Sequence, residues 1–206
     1  GRMSRMTSRH GSPHRYRRRL ALLLGAVALA VAPSRAVAQA APQAAPANAG
    51  LWYEVTLGGA GSRLACSICS AHRDLGAVIT GALGAYASPK LRVGLELSRW
   101  TYRDVGVREM TSGIGLVAHM KPSARSRLFL LGGAGWTSYR ASDYTFGAPR
   151  ASVGIGYDVP LAGAWVAGNV LTMDLAAFGK LRNESVTVVD NVGLSAIRMA
   201  VQLRRR

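Results

Sequence analysis

The chain has 206 residues, enough for one domain, and a formal net charge of +16. Eight arginines and no acidic residue lie within residues 1–40, and the remainder carries 18 basic against 10 acidic residues. The extreme basicity thus belongs to the N-terminal stretch and does not point to a nucleic-acid partner; no helix-turn-helix, zinc-finger or RNA-binding motif accompanies it.

Residues 1–40 read as an export signal with a basic N-terminal extension. Arg15 to Arg19 supply a positive segment, Leu20 to Ala32 an uncharged apolar run, and Ala36-Val37-Ala38 or Ala38-Gln39-Ala40 the small residues of a cleavage site. The apolar run is shorter than the ~20 residues of a spanning helix. Residues 41–50 are an Ala/Pro-rich linker without periodicity, and residues 51–206 form the folded domain.

From Leu51 onward the apolar residues recur every second position. Leu91, Val93, Leu95 and Leu97 alternate with Arg92, Gly94, Glu96 and Ser98. Ile114, Leu116, Ala118 and Met120 do the same, as do Val153, Ile155, Tyr157 and Val159, and then Ile197, Met199, Val201 and Leu203. Period two is the signature of strands with one apolar face. Eight such segments are expected at 51–60, 74–87, 90–102, 107–121, 126–139, 148–159, 163–178 and 191–203. Their lengths suit the ~9–11 tilted residues that cross a bilayer.

The connections alternate in kind. Ser88-Pro89, Pro122-Ser123-Ala124 and Pro160-Leu161-Ala162 mark short turns. Longer loops are expected at 61–73, 140–147 and 179–190, with a shorter one at 103–106. Short turns at one end and longer loops at the other describe an outer-membrane barrel, the short end facing the periplasm. On that topology Trp52, Tyr86, Tyr157 and Trp165 are expected at the periplasmic rim, and Trp100, Trp136, Tyr139 and Phe178 at the outer rim, as interface aromatics. Gly113, Gly115, Gly154 and Gly156 lie opposite the apolar face, where a narrow eight-stranded barrel has little room. Asn169 interrupts the apolar face of the seventh segment, and a bulge or register shift is expected there.

The eight alternating segments, the turn and loop lengths and stretches such as Leu130-Leu131-Gly132-Gly133-Ala134-Gly135-Trp136 resemble the OmpA/OmpX-like family of small outer-membrane β-barrels. The resemblance covers residues 51–206 and the export signal. It implies an all-β fold: an eight-stranded antiparallel up-and-down transmembrane barrel, preceded by a cleavable signal peptide, in the bacterial outer membrane. It implies that Arg92, Glu96, His119, Asp158, Asp174 and Arg198 form a network of paired charges in the lumen. Its partners would be outer-membrane lipid, lipopolysaccharide and the barrel-assembly machinery. Family members end on an aromatic residue read by that machinery, whereas this chain ends Leu203-Arg204-Arg205-Arg206.

No catalytic constellation emerges. Ser70, His72 and Asp74 share one loop, there is no G-x-S-x-G, and no cofactor motif is present. Cys66 and Cys69 with nearby His72 fall short of the four ligands of a zinc site, and export to an oxidising compartment favours a loop disulfide. The expected function is a non-enzymatic barrel with a structural or surface-interaction role and a plugged lumen. A narrow pore for small solutes and a soluble lipocalin-like ligand carrier are the alternatives; the carrier would face its apolar residues inward.

Overall fold

Alternation of apolar and polar or small residues lets a strand bury one face and expose the other, and a sheet built from such strands must close or leave raw edges. In the computed structural model, which describes residues 50–69, 72–104 and 106–205, the sheet closes. The strands are β1 (Leu51–Ala65), β2 (Asp74–Ser88), β3 (Leu91–Asp104), β4 (Val107–Met120), β5 (Leu128–Ala141), β6 (Tyr144–Pro160), β7 (Trp165–Asn183) and β8 (Val186–Arg205). Each pairs antiparallel with its sequence neighbours, and β8 pairs back onto β1. The expected signal peptide at 1–40, and all of the 41–50 linker except Gly50, lie outside the described residues.

The register fixes the barrel's girth. Leu51 pairs with Ala85, Ala85 with Val93, Val93 with Ala118, Ala118 with Gly132 and Gly132 with Val153. The same row continues through Met173 and Ile197 and returns to β1 at Gly61. A circuit therefore climbs from residue 51 to residue 61, which tilts the strands by roughly 40° from the axis. Such a barrel has an interior that side chains alone can fill.

The exterior is apolar. Leu51, Val55 and Leu57 on β1 stand outward, as do Leu95 and Leu97 on β3, Ile114 and Leu116 on β4, and Ile197, Met199, Val201 and Leu203 on β8. At the tilt given by the register, this band is roughly 20–25 Å tall, the height of the hydrocarbon-facing belt of a membrane barrel. Buried apolar groups form two clusters inside. One, toward the end where β1 begins and β8 ends, contains Trp52, Val117, Phe129, Leu131, Val170 and Ala200. The other, toward the opposite end, is built around Trp100, Tyr139, Phe146, Leu181, Val192 and Leu194.

Three expectations are corrected here. The segments at 140–147 and 179–190 are largely strand: β5 and β6 meet across residues 142–143, and β7 and β8 across 184–185. Positive φ at Ser142 and Glu184 closes these tight turns. Residues 61–65 extend β1, so the first loop shrinks to 66–73. Asn169 causes no bulge; it pairs regularly with Tyr157 and Val201 and points outward beside the tyrosine. Register shifts fall instead between Tyr86 and Ser88 on β2, between Gly147 and Arg150 on β6, and from Ala176 to Arg182 on β7, where Phe178 has a φ of 62°.

The aromatic expectation divides in two. Trp136, Tyr157 and Trp165 stand outward, with Phe178 fully in the open. Trp52, Tyr86, Trp100 and Tyr139 turn inward: Trp52 is 1% exposed and Trp100 5%, and Tyr86 packs against the first apolar cluster. The reason is parity. Trp52 shares its face with Glu54 and Thr56, and Trp100 shares its face with Arg92 and Glu96. Each indole finds a backbone acceptor, Trp100 Nε1 donating to Ala60 O at 2.9 Å and Trp52 Nε1 to Ala85 O at 3.3 Å.

Interior glycines make room for these rings. A Cβ at Gly94 would stand 2.7 Å from Cζ2 of Trp52, and one at Gly156 would clash with Cζ at the tip of the Phe129 ring. Glycine at these positions is a packing requirement, since the aromatic side chains occupy the volume a side chain would need.

Candidate functional site

The strands deliver eight charged side chains and His119 to the interior, joined by Lys121 from the turn after β4, in two layers. The lower layer, nearer the start of β1 and the end of β8, is centred on Asp158 of β6. Arg204 of β8 grips its carboxylate with both terminal nitrogens, at 2.7 Å and 3.2 Å. Gln202 donates to Oδ1 at 2.9 Å, and Lys121 Nζ lies 3.0 Å from Oδ2. Glu54 of β1 is the second anion, 3.6 Å from Arg204 and 3.7 Å from Arg92. Arg92 also donates from Nε to Nδ1 of His119 at 2.7 Å. Its guanidinium sits 4.9 Å from the Phe129 ring centroid and 5.5 Å from that of Trp52. His119 stacks on Phe129 in turn, with centroids 5.2 Å apart. Arg92 is thus held by carboxylates on one side and aromatic faces on the other.

The upper layer is a four-membered ring of alternating charge. Arg198 of β8 meets Asp174 of β7 through Nε at 2.7 Å and Nη2 at 3.1 Å. Arg150 of β6 meets Glu96 of β3 at 3.0 Å. The ring closes through Arg198–Glu96 at 3.6 Å and Arg150–Asp174 at 3.7 Å. Ser98 and Thr80 accept further bonds from Arg150 and Arg198 at 3.0 and 3.2 Å. Two arginines against two carboxylates leave this layer neutral. Charge buried this deeply survives only when paired and hydrogen-bonded.

Val117, Leu131, Val170 and Ala200 lie between the layers, and the second apolar cluster covers the upper one. Water crossing the barrel would therefore have to pass two ionised and two apolar levels.

All six residues singled out from the sequence are buried in these layers: Arg92, His119 and Asp158 in the lower, Glu96, Asp174 and Arg198 in the upper. Sequence reasoning passed over Glu54, Lys121, Arg150, Gln202 and Arg204. The signal existed for most of them. Glu54 is the lone charge in an alternating Leu51-Val55-Leu57 stretch, Arg150 has the parity of Ser152 and Asp158, and Arg204 continues the parity of Arg198 and Gln202. Arg204, within the Leu203-Arg204-Arg205-Arg206 end, is 1% exposed.

Beyond the upper apolar cluster the barrel opens into a mouth of about 340 Å³ lined by Ile68, Cys69, His72, Asp74, Glu109 and Tyr139 among others. Cys66 and Cys69 are joined by a disulfide in the connection between β1 and β2. Burial raises the pKa of Glu109; the Tyr139 hydroxyl hydrogen-bonded to it opposes the rise, and nearby Asp74 adds to it. Burial and the same carboxylate push the Tyr139 phenol above the usual range.

A closed eight-stranded barrel with a lipid-compatible wall and an ionised, filled interior defines the class of small transmembrane β-barrels. Comparison with solved structures agrees on the fold. The chain is similar to Neisserial surface protein A, with a TM-score of 0.54, 16% identity and coverage of 76% of this chain and 98% of that one. It is also similar to Ail, the attachment invasion locus protein of Yersinia pestis, with a TM-score of 0.50, 9% identity and coverage of 74% and 97%. These neighbours have the architecture of the OmpA/OmpX-like barrels that the sequence resembles. The sequence matches no protein-family model and no curated protein.

Proposed function

We propose that the chain is a bacterial outer-membrane barrel that acts as a membrane-anchored structural or surface-interaction module with a plugged, non-conducting interior. The observation that carries this reading is the inversion of polarity: large apolar side chains cover the outside while paired charges fill the inside. A soluble ligand-carrying barrel needs the reverse, an apolar cavity behind a polar exterior. On this reading the periplasmic end carries the start of β1 at Leu51, the end of β8 at Arg205 and the turns at 89–90, 121–127 and 161–164. The outer end carries the loop at 66–73 and the mouth lined by Glu109 and Tyr139. Its partners on this reading are outer-membrane lipid, including lipopolysaccharide, and the barrel-assembly machinery that inserts it. The interior reading is tested by planar-bilayer recording. The folded chain is expected to give no steady single-channel current. Discrete conductance steps that vanish on removing the chain would establish the pore alternative.

A further inference from the structure

We propose that the outer wall of β3–β5 carries a binding site for one phosphorylated, multiply acylated glycolipid of the outer leaflet; this rests on the outer-membrane reading. Arg99 and Arg103 on β3, Arg108 on β4 and Arg140 on β5 are all exposed. They have the outward parity of Leu97, Ile114 and Trp136 and stand at or above the top of the apolar band. The register crowds them. Arg103 is directly opposite Arg108, Arg140 is directly opposite Met110, and Arg99 reaches across to the Met110 sulfur.

Like charges placed opposite each other on one face of an antiparallel pair repel. Among the described residues none of the four is in an ion pair, although Lys180 on the other side of the barrel is partnered by Asp190. Such a cluster is a ready receptor for phosphate, which guanidinium groups bind in bidentate fashion.

The same wall offers a seat for the acyl chains. Below Arg99 the exterior recedes into a hollow of about 600 Å³ bordered by Leu83, Val93, Leu95, Leu116, Gly132 and Ala134. Leu95 lies four residues below Arg99, roughly 13 Å along the strand. The hollow exists because glycine and alanine stand where larger side chains would; a Cβ at Gly132 meets nothing within 4 Å. Cations at headgroup height directly above an apolar depression match a lipid with phosphate at its head and acyl chains beneath. Phosphate on the glycolipid, rather than anionic lipid in general, is the occupant because four clustered guanidiniums suit a headgroup bearing more than one phosphate.

The test uses the full chain folded in neutral detergent and native mass spectrometry with added diphosphoryl lipid A. Wild type is expected to retain one lipid. The variant R99Q/R103Q/R108Q/R140Q is expected to bind about tenfold more weakly or worse, and dephosphorylated lipid A to bind wild type as poorly. G132L, which fills the hollow and leaves every arginine in place, is expected to weaken retention of diphosphoryl lipid A as well. Equal retention by wild type and the arginine variant would overturn the proposal, and so would equal retention of dephosphorylated lipid A or of phosphatidylglycerol. Each variant is checked for the gel shift of a folded barrel. Should the quadruple change prevent folding, R99Q/R103Q and R108Q/R140Q take its place with the same expectation. If wild type itself shows no such shift, it is the membrane reading that fails, independently of the lipid result.

Discussion

Asp158→Asn perturbs the lower layer at its centre. Each carboxylate oxygen serves two donors: Gln202 at 2.9 Å and Arg204 at 3.2 Å on Oδ1, Arg204 at 2.7 Å and Lys121 at 3.0 Å on Oδ2. An asparagine in the same place keeps one acceptor and turns an NH₂ toward two donors. Flipping the amide only moves the conflict to Gln202 and Arg204. With the charge gone, Arg92 and Arg204 share Glu54 alone, and Lys121 loses the carboxylate it meets. Removing one partner from a buried ion pair costs about 3–5 kcal/mol, and that is the expected loss, read by urea unfolding of the chain in lipid vesicles with tryptophan fluorescence. The double variant Asp158→Asn/Arg204→Gln removes the stranded cation with its anion. It should be less destabilised than the sum of the single changes, by about 1 kcal/mol or more. A single-variant cost below about 1 kcal/mol, or strictly additive changes, would refute the reasoning.

Three further outcomes follow from the packing and the mouth. Gly156→Ala places a methyl group against the tip of the Phe129 ring and should cost about 1–3 kcal/mol, while Gly81→Ala, where a Cβ meets nothing within 4 Å, should be neutral; equal melting temperatures for the two would contradict the account. The raised Glu109 pKa means that the folded chain holds this proton more tightly than the unfolded chain. Its contribution is complete below the ordinary carboxylate pKa and is lost as pH rises through the raised value, so Glu109→Gln should flatten that part of the stability–pH curve, and an unchanged slope would count against it. Cys66→Ser/Cys69→Ser opens only a short ring at the tip of one loop, so it should cost no more than about 2 kcal/mol and leave the heat-dependent gel shift of the barrel in place.

Much of the wall was legible because a membrane barrel must keep strict parity wherever lipid touches it. On β3 from Leu91 to Leu97, β4 from Ile114 to Met120, β6 from Val153 to Val159 and β8 from Ile197 to Leu203 the outward residues form unbroken apolar series, and the residues between them fell to the interior. The aromatics were misplaced where height along the strand was weighed without parity: Trp52 and Trp100 stand near strand ends, yet each has the parity of a buried charge two or four residues away. The far ends of β5–β8 were illegible for a different reason. Above the lipid band the outer face meets water, so apolar and polar residues mix there, and the shift between Ala176 and Gly179 reverses the parity of β7, whose buried residues are even-numbered up to Ala176 and odd-numbered at Gly179 and Leu181. A pattern read straight through a bulge appears to end. Arg150 and Glu54 had the right parity, but nothing in a single strand shows which charge across the barrel will neutralise them.

The most direct test of the membrane barrel itself is electrophoretic mobility in SDS before and after boiling, for the chain refolded into detergent micelles. A closed barrel with paired interior charges is expected to resist SDS until heated and to migrate differently from the boiled, unfolded form. Identical mobility before and after boiling, from a β-rich chain that stays monomeric and soluble without detergent, would contradict the account.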